Sequence, residues 1–145
     1  MSFRLADFLP YQLSVASNAV SRAVAAGTDY EARFGLSLNE WRVLAAITAA
    51  GSATQAQAVA ITAMDKMAVS RAVAGLVQRR LIHRTTHEDD RRTAWLEPTE
   101  EGRRIHDIVA PQALAVEARL LALFTPEEEA ALRSALARLK ACAES

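Results

Sequence analysis

Between Leu81 and Glu97 the chain stops reading as helix, and that interruption constrains the fold more than any other feature. On both sides alanine and leucine recur at helical spacing. Within it, LIHRTT and TAWLE are rich in β-branched and aromatic residues, and the run HEDDRR lies between them. Two short strands closed by a charged tip are expected, so the chain should be mostly α with one hairpin placed after several helices. The 51% hydrophobic fraction with only 6% aromatics agrees, because much of that fraction is alanine and leucine, which favour helix.

Helix-start signals divide the rest. Asp7 is expected to cap a first helix that tolerates Pro10 in its first turn and repeats Leu9, Leu13, Ala16, Val20 and Val24 until Gly27 and Thr28. Ser37 with Glu40 forms a capping box for a second helix, whose stripe is Trp41, Leu44, Ala45 and Ile47 and which ends near Gly51. Thr54 opens a short third helix, and Asp65 caps a fourth, KMAVSRAVAGLVQRRL. There Val69, Val73, Leu76 and Val77 make the buried stripe, while Lys66, Met67, Ser70 and Arg71 fall on the opposite or flanking side. After the hairpin, Thr99 caps a long helix to about Phe124, with Glu100 and Glu101 near its positive end and Pro111 expected to bend it. Thr125, Pro126 and Glu128 start a last helix carrying Leu132, Leu136 and Leu139 on one face.

This order describes a winged helix-turn-helix with N- and C-terminal dimerisation helices. One domain spans residues 1–145, with 36–104 as the winged unit and 1–35 plus 105–145 as the dimerisation region. Homodimerisation is expected because a lone copy would expose the apolar stripes of its first and last helices. The single cysteine, Cys142, excludes an intramolecular disulfide and points to the cytoplasm. It reads as an inert side chain in the last helix, a redox-responsive regulator being the alternative. The sequence holds no apolar run of membrane-spanning length and no signal-peptide pattern, so no membrane association is expected. No metal or cofactor is expected either. His83 and His87 stand four apart, but on a strand and tip that spacing does not converge two imidazoles as one helix face would. No nucleophile–base pair, phosphate loop or carboxylate pair suggests an enzyme.

Net charge is zero, yet residues 65–92 hold seven basic against four acidic side chains, and residues 93–145 hold six against nine. Local charge governs phosphate contact, since exposed charges are screened within about 8 Å at physiological salt. In a helix-turn-helix the second helix enters the DNA major groove by its N-terminal residues. Lys66 and Arg71 suit phosphate or guanine, Ser70 can donate or accept, and Ala68 beside Met67 permits close approach. A hairpin tip beside that helix is placed to enter the minor groove, where negative potential attracts arginine. Asp89 or Asp90 is expected to brace an arginine guanidinium there. The candidate DNA-contacting set is therefore Thr54, Gln55, Lys66, Met67, Ala68, Ser70, Arg71, Arg84, Asp90, Arg91 and Arg92.

The run Asp90, Arg91, Arg92, followed by Thr99 and Gly102, resembles the wing signature of the MarR family of transcriptional regulators, Asp-x-Arg then Leu-Thr-x-x-Gly. It departs at Pro98, where that family usually has leucine. LSLNEWRVLAAI and MDKMAVSRAV are similar to the family's second and recognition helices, so the resemblance covers almost the whole chain. It implies a homodimer that binds pseudo-palindromic double-stranded operators, acts as a repressor, and is released by a small aromatic acid or phenolic effector, with Arg92 as the minor-groove residue. For that effector, Tyr11, Ser14 and Asn18 form a polar row on the first helix, and Trp41 with Arg42 offers an aromatic wall and a cation. Two other readings stand beside this one: a winged-helix protein-interaction module that never touches DNA, marked by Arg71, Arg91 and Arg92 occupied by internal carboxylates, and a small helical enzyme.

Overall fold

The computed structural model describes residues 2–145. After a single 3-10 turn at Leu5–Asp7 come α1 (Leu9–Thr28), α2 (Tyr30–Phe34), α3 (Leu38–Ala50), β1 (Ala53–Thr54), α4 (Gln55–Thr62) and α5 (Lys66–Gln78). The hairpin β2 (Ile82–His87) and β3 (Asp90–Pro98) follows, then α6 (Glu100–Leu121) and α7 (Pro126–Ala143). The mostly helical winged architecture is the one expected. The three strands lie antiparallel in the order β1-β3-β2.

Capping follows the side chains expected at five of six helix starts. Ser37 and Glu40 exchange reciprocal bonds of 3.1 and 3.0 Å, and Thr54 with Gln57 and Thr125 with Glu128 do the same. Asp65 and Thr99 accept from Ala68 and Gly102. The exception is Asp7, which lies in the 3-10 turn; Phe8 holds the N-cap position of α1 without a side-chain bond, and Pro10 sits in the first turn. Helix α6 ends at Leu121, short of Phe124, and runs unbroken through Pro111.

Two elements went unforeseen. Five-residue α2 is too short to show a period, and it is held from outside: Arg79 beyond α5 donates through Nη1 to the Gly35 carbonyl (2.9 Å) and through Nη2 to that of Phe34. Strand β1 has two residues and exists only by pairing Ala53 with Leu96 and Thr54 with Trp95. Helix α5 also stops sooner than expected, at Gln78, because Arg80 turns left-handed (φ 59°) and redirects the chain into β2.

A single core joins α3, α5, the hairpin and the first half of α6 through Leu44, Ile47, Val69, Val73, Leu76, Ile82, Leu96 and Val109, all buried. The Thr99–Gly102 pair explains itself physically. Thr99 donates to the Arg80 and Leu81 carbonyls (2.7 and 3.1 Å) while capping α6, and a Cβ on Gly102 would lie 2.0 Å from the Leu81 oxygen. Only glycine lets α6 start against the strand. Pro98 closes β3 opposite Ile82, where a missing N–H costs no central ladder bond.

Candidate nucleic-acid interface

Helix α5 presents two faces. Val69, Ala72, Val73 and Leu76 face inward, while Lys66, Ser70 and Arg71 are exposed and Met67 is 70% exposed. Ala68, half-buried between them, keeps the first turn low, and its N–H bonds Asp65 Oδ1 at 2.8 Å. The turn entering this helix places Ala63 in the left-handed region (φ 55°), which closes the α4–α5 angle without a glycine. Thr54 and Gln55 start α4; the Thr54 hydroxyl accepts from Gln57 N–H and keeps its own proton to donate.

In the wing the turn itself is only Glu88 and Asp89. Thr85 pairs with Trp95 and His87 with Asp90, so β2 advances two residues while β3 advances five. That irregularity lies where Arg91 and Arg92 stand, both exposed, outside the regular ladder. Asp90 does not brace a guanidinium as expected. Its Oδ1 accepts from the Arg92 backbone N–H (3.0 Å) and its Oδ2 from the Thr93 hydroxyl (2.6 Å). These two bonds, the Thr93 hydroxyl first, hold the Asp90 carboxyl below the usual carboxylate range. The acid therefore shapes the backbone that carries Arg92 and leaves the guanidinium free.

The wing base rests on residues outside the expected set. His87 stacks on Trp95 (4.2 Å, 8°), and its Nε2 lies 3.2 Å from Ser52 Oγ and 3.6 Å from Glu97. His83 lies 3.9 Å from the other Glu97 oxygen. The two imidazoles thus share one strand face and one carboxylate, although no group of three or more potential metal ligands assembles among the described residues. The alternation of His83, Thr85 and His87 signals the common face; the register that supplies Glu97 and Trp95 has no local signature.

The cations of this surface are free. Among the described residues no carboxylate lies within ion-pair distance of Lys66, Arg71, Arg84, Arg91 or Arg92, whereas Arg4, Arg79, Arg104 and Arg133 are each paired. The face carries uncompensated cations beside a projecting helix terminus, the arrangement that binds phosphate backbones.

Residues 34–93 match the sequence model of the MarR family. No curated protein matches the chain. Among solved structures it is similar to a probable transcriptional regulator from Pseudomonas aeruginosa, at 29% identity and TM-score 0.78 over 94% of this chain and 99% of that one. It is also similar to a MarR/EmrR family transcriptional regulator from Acinetobacter sp. ADP1, at 25% identity and TM-score 0.87 over 98% and 99%. Residues 34–93 thus carry the MarR-family signature, and the chain shares the fold of a MarR-family transcriptional regulator. A third similar structure is CouR from Rhodococcus jostii RHA1 bound to p-coumaroyl-CoA, at 26% identity and TM-score 0.79 over 93% of each chain. The fold is also that of a mutant MarR from E. coli complexed with operator DNA, at 19% identity and TM-score 0.77 over 90% of this chain and 92% of that one. Among the described residues no single helix is long and apolar enough to cross a membrane.

The five residues expected at an effector site do not form one group. Trp41 walls an apolar cavity of about 540 Å³ between α1, α3 and α6, with Val20, Val24, Ala45, His106 and Leu114. Its ring stacks between those of Tyr30 (6.1 Å) and His106 (5.8 Å). Arg42, the next residue on α3, turns away and donates to Ser21 Oγ at 3.2 Å. Asn18 lines a separate cleft with Ser21, and Tyr11 and Ser14 line neither.

Proposed function

We propose that the chain is a homodimeric, sequence-specific repressor that binds inverted DNA half-sites about one helical turn apart. The observation carrying this reading is the unpaired cationic face: Lys66 and Arg71 on α5 and Arg84, Arg91 and Arg92 on the wing, without internal carboxylate partners. A protein-interaction module that had lost DNA binding would be expected to neutralise those arginines internally. In this reading α5 enters successive major grooves, with Lys66, Met67, Ala68, Ser70 and Arg71 toward base edges and phosphates. Thr54, Gln55 and Arg84 contact backbone, and Arg92, backed by Arg91 and presented by Asp90, enters the flanking minor groove.

Dimerisation rests on the terminal helices. Leu9, Leu13 and Val20 of α1 are 38–50% exposed, Leu132, Leu136 and Leu139 of α7 are 40–46% exposed, and α7 buries no residue in the single chain.

Release follows from an aromatic or phenolic effector in the cavity walled by Trp41 and His106. The cavity's size and apolar lining support this class, and CouR, a relative, binds an aromatic acyl thioester. The effector acts only if it favours a spacing of the two recognition helices that misses consecutive grooves; tight binding alone shifts nothing. The test is a titration of the protein bound to DNA selected from random duplexes, with benzoates, cinnamates and salicylates, on the wild type and on Trp41→Ala. Lower DNA affinity in the wild type and loss of the response in the variant is expected. An unchanged complex with every compound up to about 1 mM overturns the effector reading.

A further inference from the structure

Neither His83 nor His87 belongs to the cationic face, yet the fold gathers both around one carboxylate. Strand alternation puts them on one face of β2, toward Glu97 and Trp95 of β3, while Arg84 between them points to the other face. Each Glu97 oxygen has one imidazole beside it, His83 at 3.9 Å and His87 at 3.6 Å. No other carboxylate lies at ion-pair distance from either ring among the described residues. Asp90 stands across the end of the ladder from His87. Its carboxyl, held low by the Thr93 hydroxyl and the Arg92 N–H, also feels the His87 charge.

His87 is the member that joins the wing to the body of the molecule. Its ring lies flat on Trp95 (4.2 Å, 8°), and its Nε2 is 3.2 Å from Ser52 Oγ in the turn between α3 and β1. The segment carrying Arg91 and Arg92 leaves the regular ladder between the Thr85–Trp95 and His87–Asp90 pairs. The stacked ring therefore closes the base of that segment.

Protonation decides how firmly it closes. A neutral imidazole has one N–H, and in the tautomer with that proton on Nδ1 the Nε2 lone pair faces the Glu97 carboxylate. An imidazolium always carries a proton on Nε2, toward Ser52 and Glu97 alike, and its charge is attracted by the indole face. We propose that His87 is a positioning residue for the wing: its charged form clamps the wing base to Ser52, Glu97 and Trp95 and fixes the segment that presents Arg92, so DNA affinity rises as pH falls through the histidine range. The gain in affinity rests on the DNA-binding reading above; the clamp itself does not. Asp90 stays ionised across this window because its carboxyl lies below the usual carboxylate range.

Two measurements test the two parts. In the DNA-free protein, nuclear magnetic relaxation of the Arg91 and Arg92 amides shows a more rigid segment at about pH 5.5 than at about pH 8, and no such difference in His87→Gln. On a duplex selected from random DNA, affinity at fixed salt rises about fivefold over the same interval. His87→Gln matches the wild type within about twofold at the alkaline end and loses the rise. Ser52→Ala, which removes no charge, cuts the rise to about half or less while its salt slope stays that of the wild type. An imidazolium acting only as a charge near phosphate predicts the full rise in Ser52→Ala. The whole rise persisting in either variant, or equal rigidity of the segment at both pH values, overturns the proposal. A segment that stiffens with acid in a protein that binds no duplex overturns the affinity gain together with the repressor reading and leaves the clamp standing.

Discussion

Helices α5 and α7 carry apolar stripes of the same period and meet opposite fates. Val69, Val73 and Leu76 of α5 are fully buried within the chain, while Leu132, Leu136 and Leu139 of α7 remain 40–46% exposed. Charge placement differs too: Arg133 in the middle of α7 is tied to Glu117 and Glu129 at 3.0 and 2.9 Å, whereas Lys66 and Arg71 in the first half of α5 have no carboxylate partner. One helix has its apolar stripe completed inside its own subunit and keeps Lys66 and Arg71 exposed. The other leaves its leucines without an apolar partner in the chain, the face that the proposed homodimer would cover. Amphipathicity fixes that a helix needs a partner; it does not say whether the partner is the same chain.

The sharpest way to break the contrast is in the core. Leu76→Ala is expected to cost about 2–5 kcal/mol in urea unfolding, since its side chain is fully enclosed. Leu136→Asp should act on association: the dimer dissociation constant rises at least about 100-fold in sedimentation, and the chain runs near its single-copy mass of 15.7 kDa. Next, Arg92→Ala weakens DNA binding about tenfold and lowers the salt slope by about one, while Ser70→Ala keeps the slope and alters sequence preference. Asp90→Ala gives a smaller, few-fold loss of affinity, because it unties the Arg92 backbone without removing charge. The folded-state value of Asp90 is depressed, so the carboxylate's contribution is present above its unfolded value and lost as pH falls through the folded one. Wing-dependent affinity measured through Asp90 should thus be level across neutral pH and fall only on strong acidification. The smallest effect is a gain: Ala63→Gly relieves a left-handed alanine in the helix-turn-helix and raises stability by about 0.5–1 kcal/mol.

Local side-chain chemistry made much of the fold legible. Ser37, Thr54, Asp65, Thr99 and Thr125 announce their helices through bonds made within three residues, and the structure makes each of those bonds. Where the decisive partner is distant, the sequence is silent. Helix α2 depends on Arg79, strand β1 on Leu96 and Trp95, and the wing base on Ser52 meeting His87. The expectation for Asp90 failed for a related reason: a carboxylate at the start of a strand finds the backbone N–H two residues on before it finds a flexible guanidinium. Trp41 and Arg42 were grouped by adjacency, yet consecutive helical residues point about 100° apart, and the structure sends them to different spaces.

Selection of bound sequences from random duplex DNA tests the central claim most directly, because it reports dimer symmetry and base reading together. The account predicts enrichment of inverted half-sites with centres about one helical turn apart, and loss of that enrichment in Leu136→Asp. Recovery of no sequence preference, or of single unpaired half-sites by the wild-type protein, would contradict it.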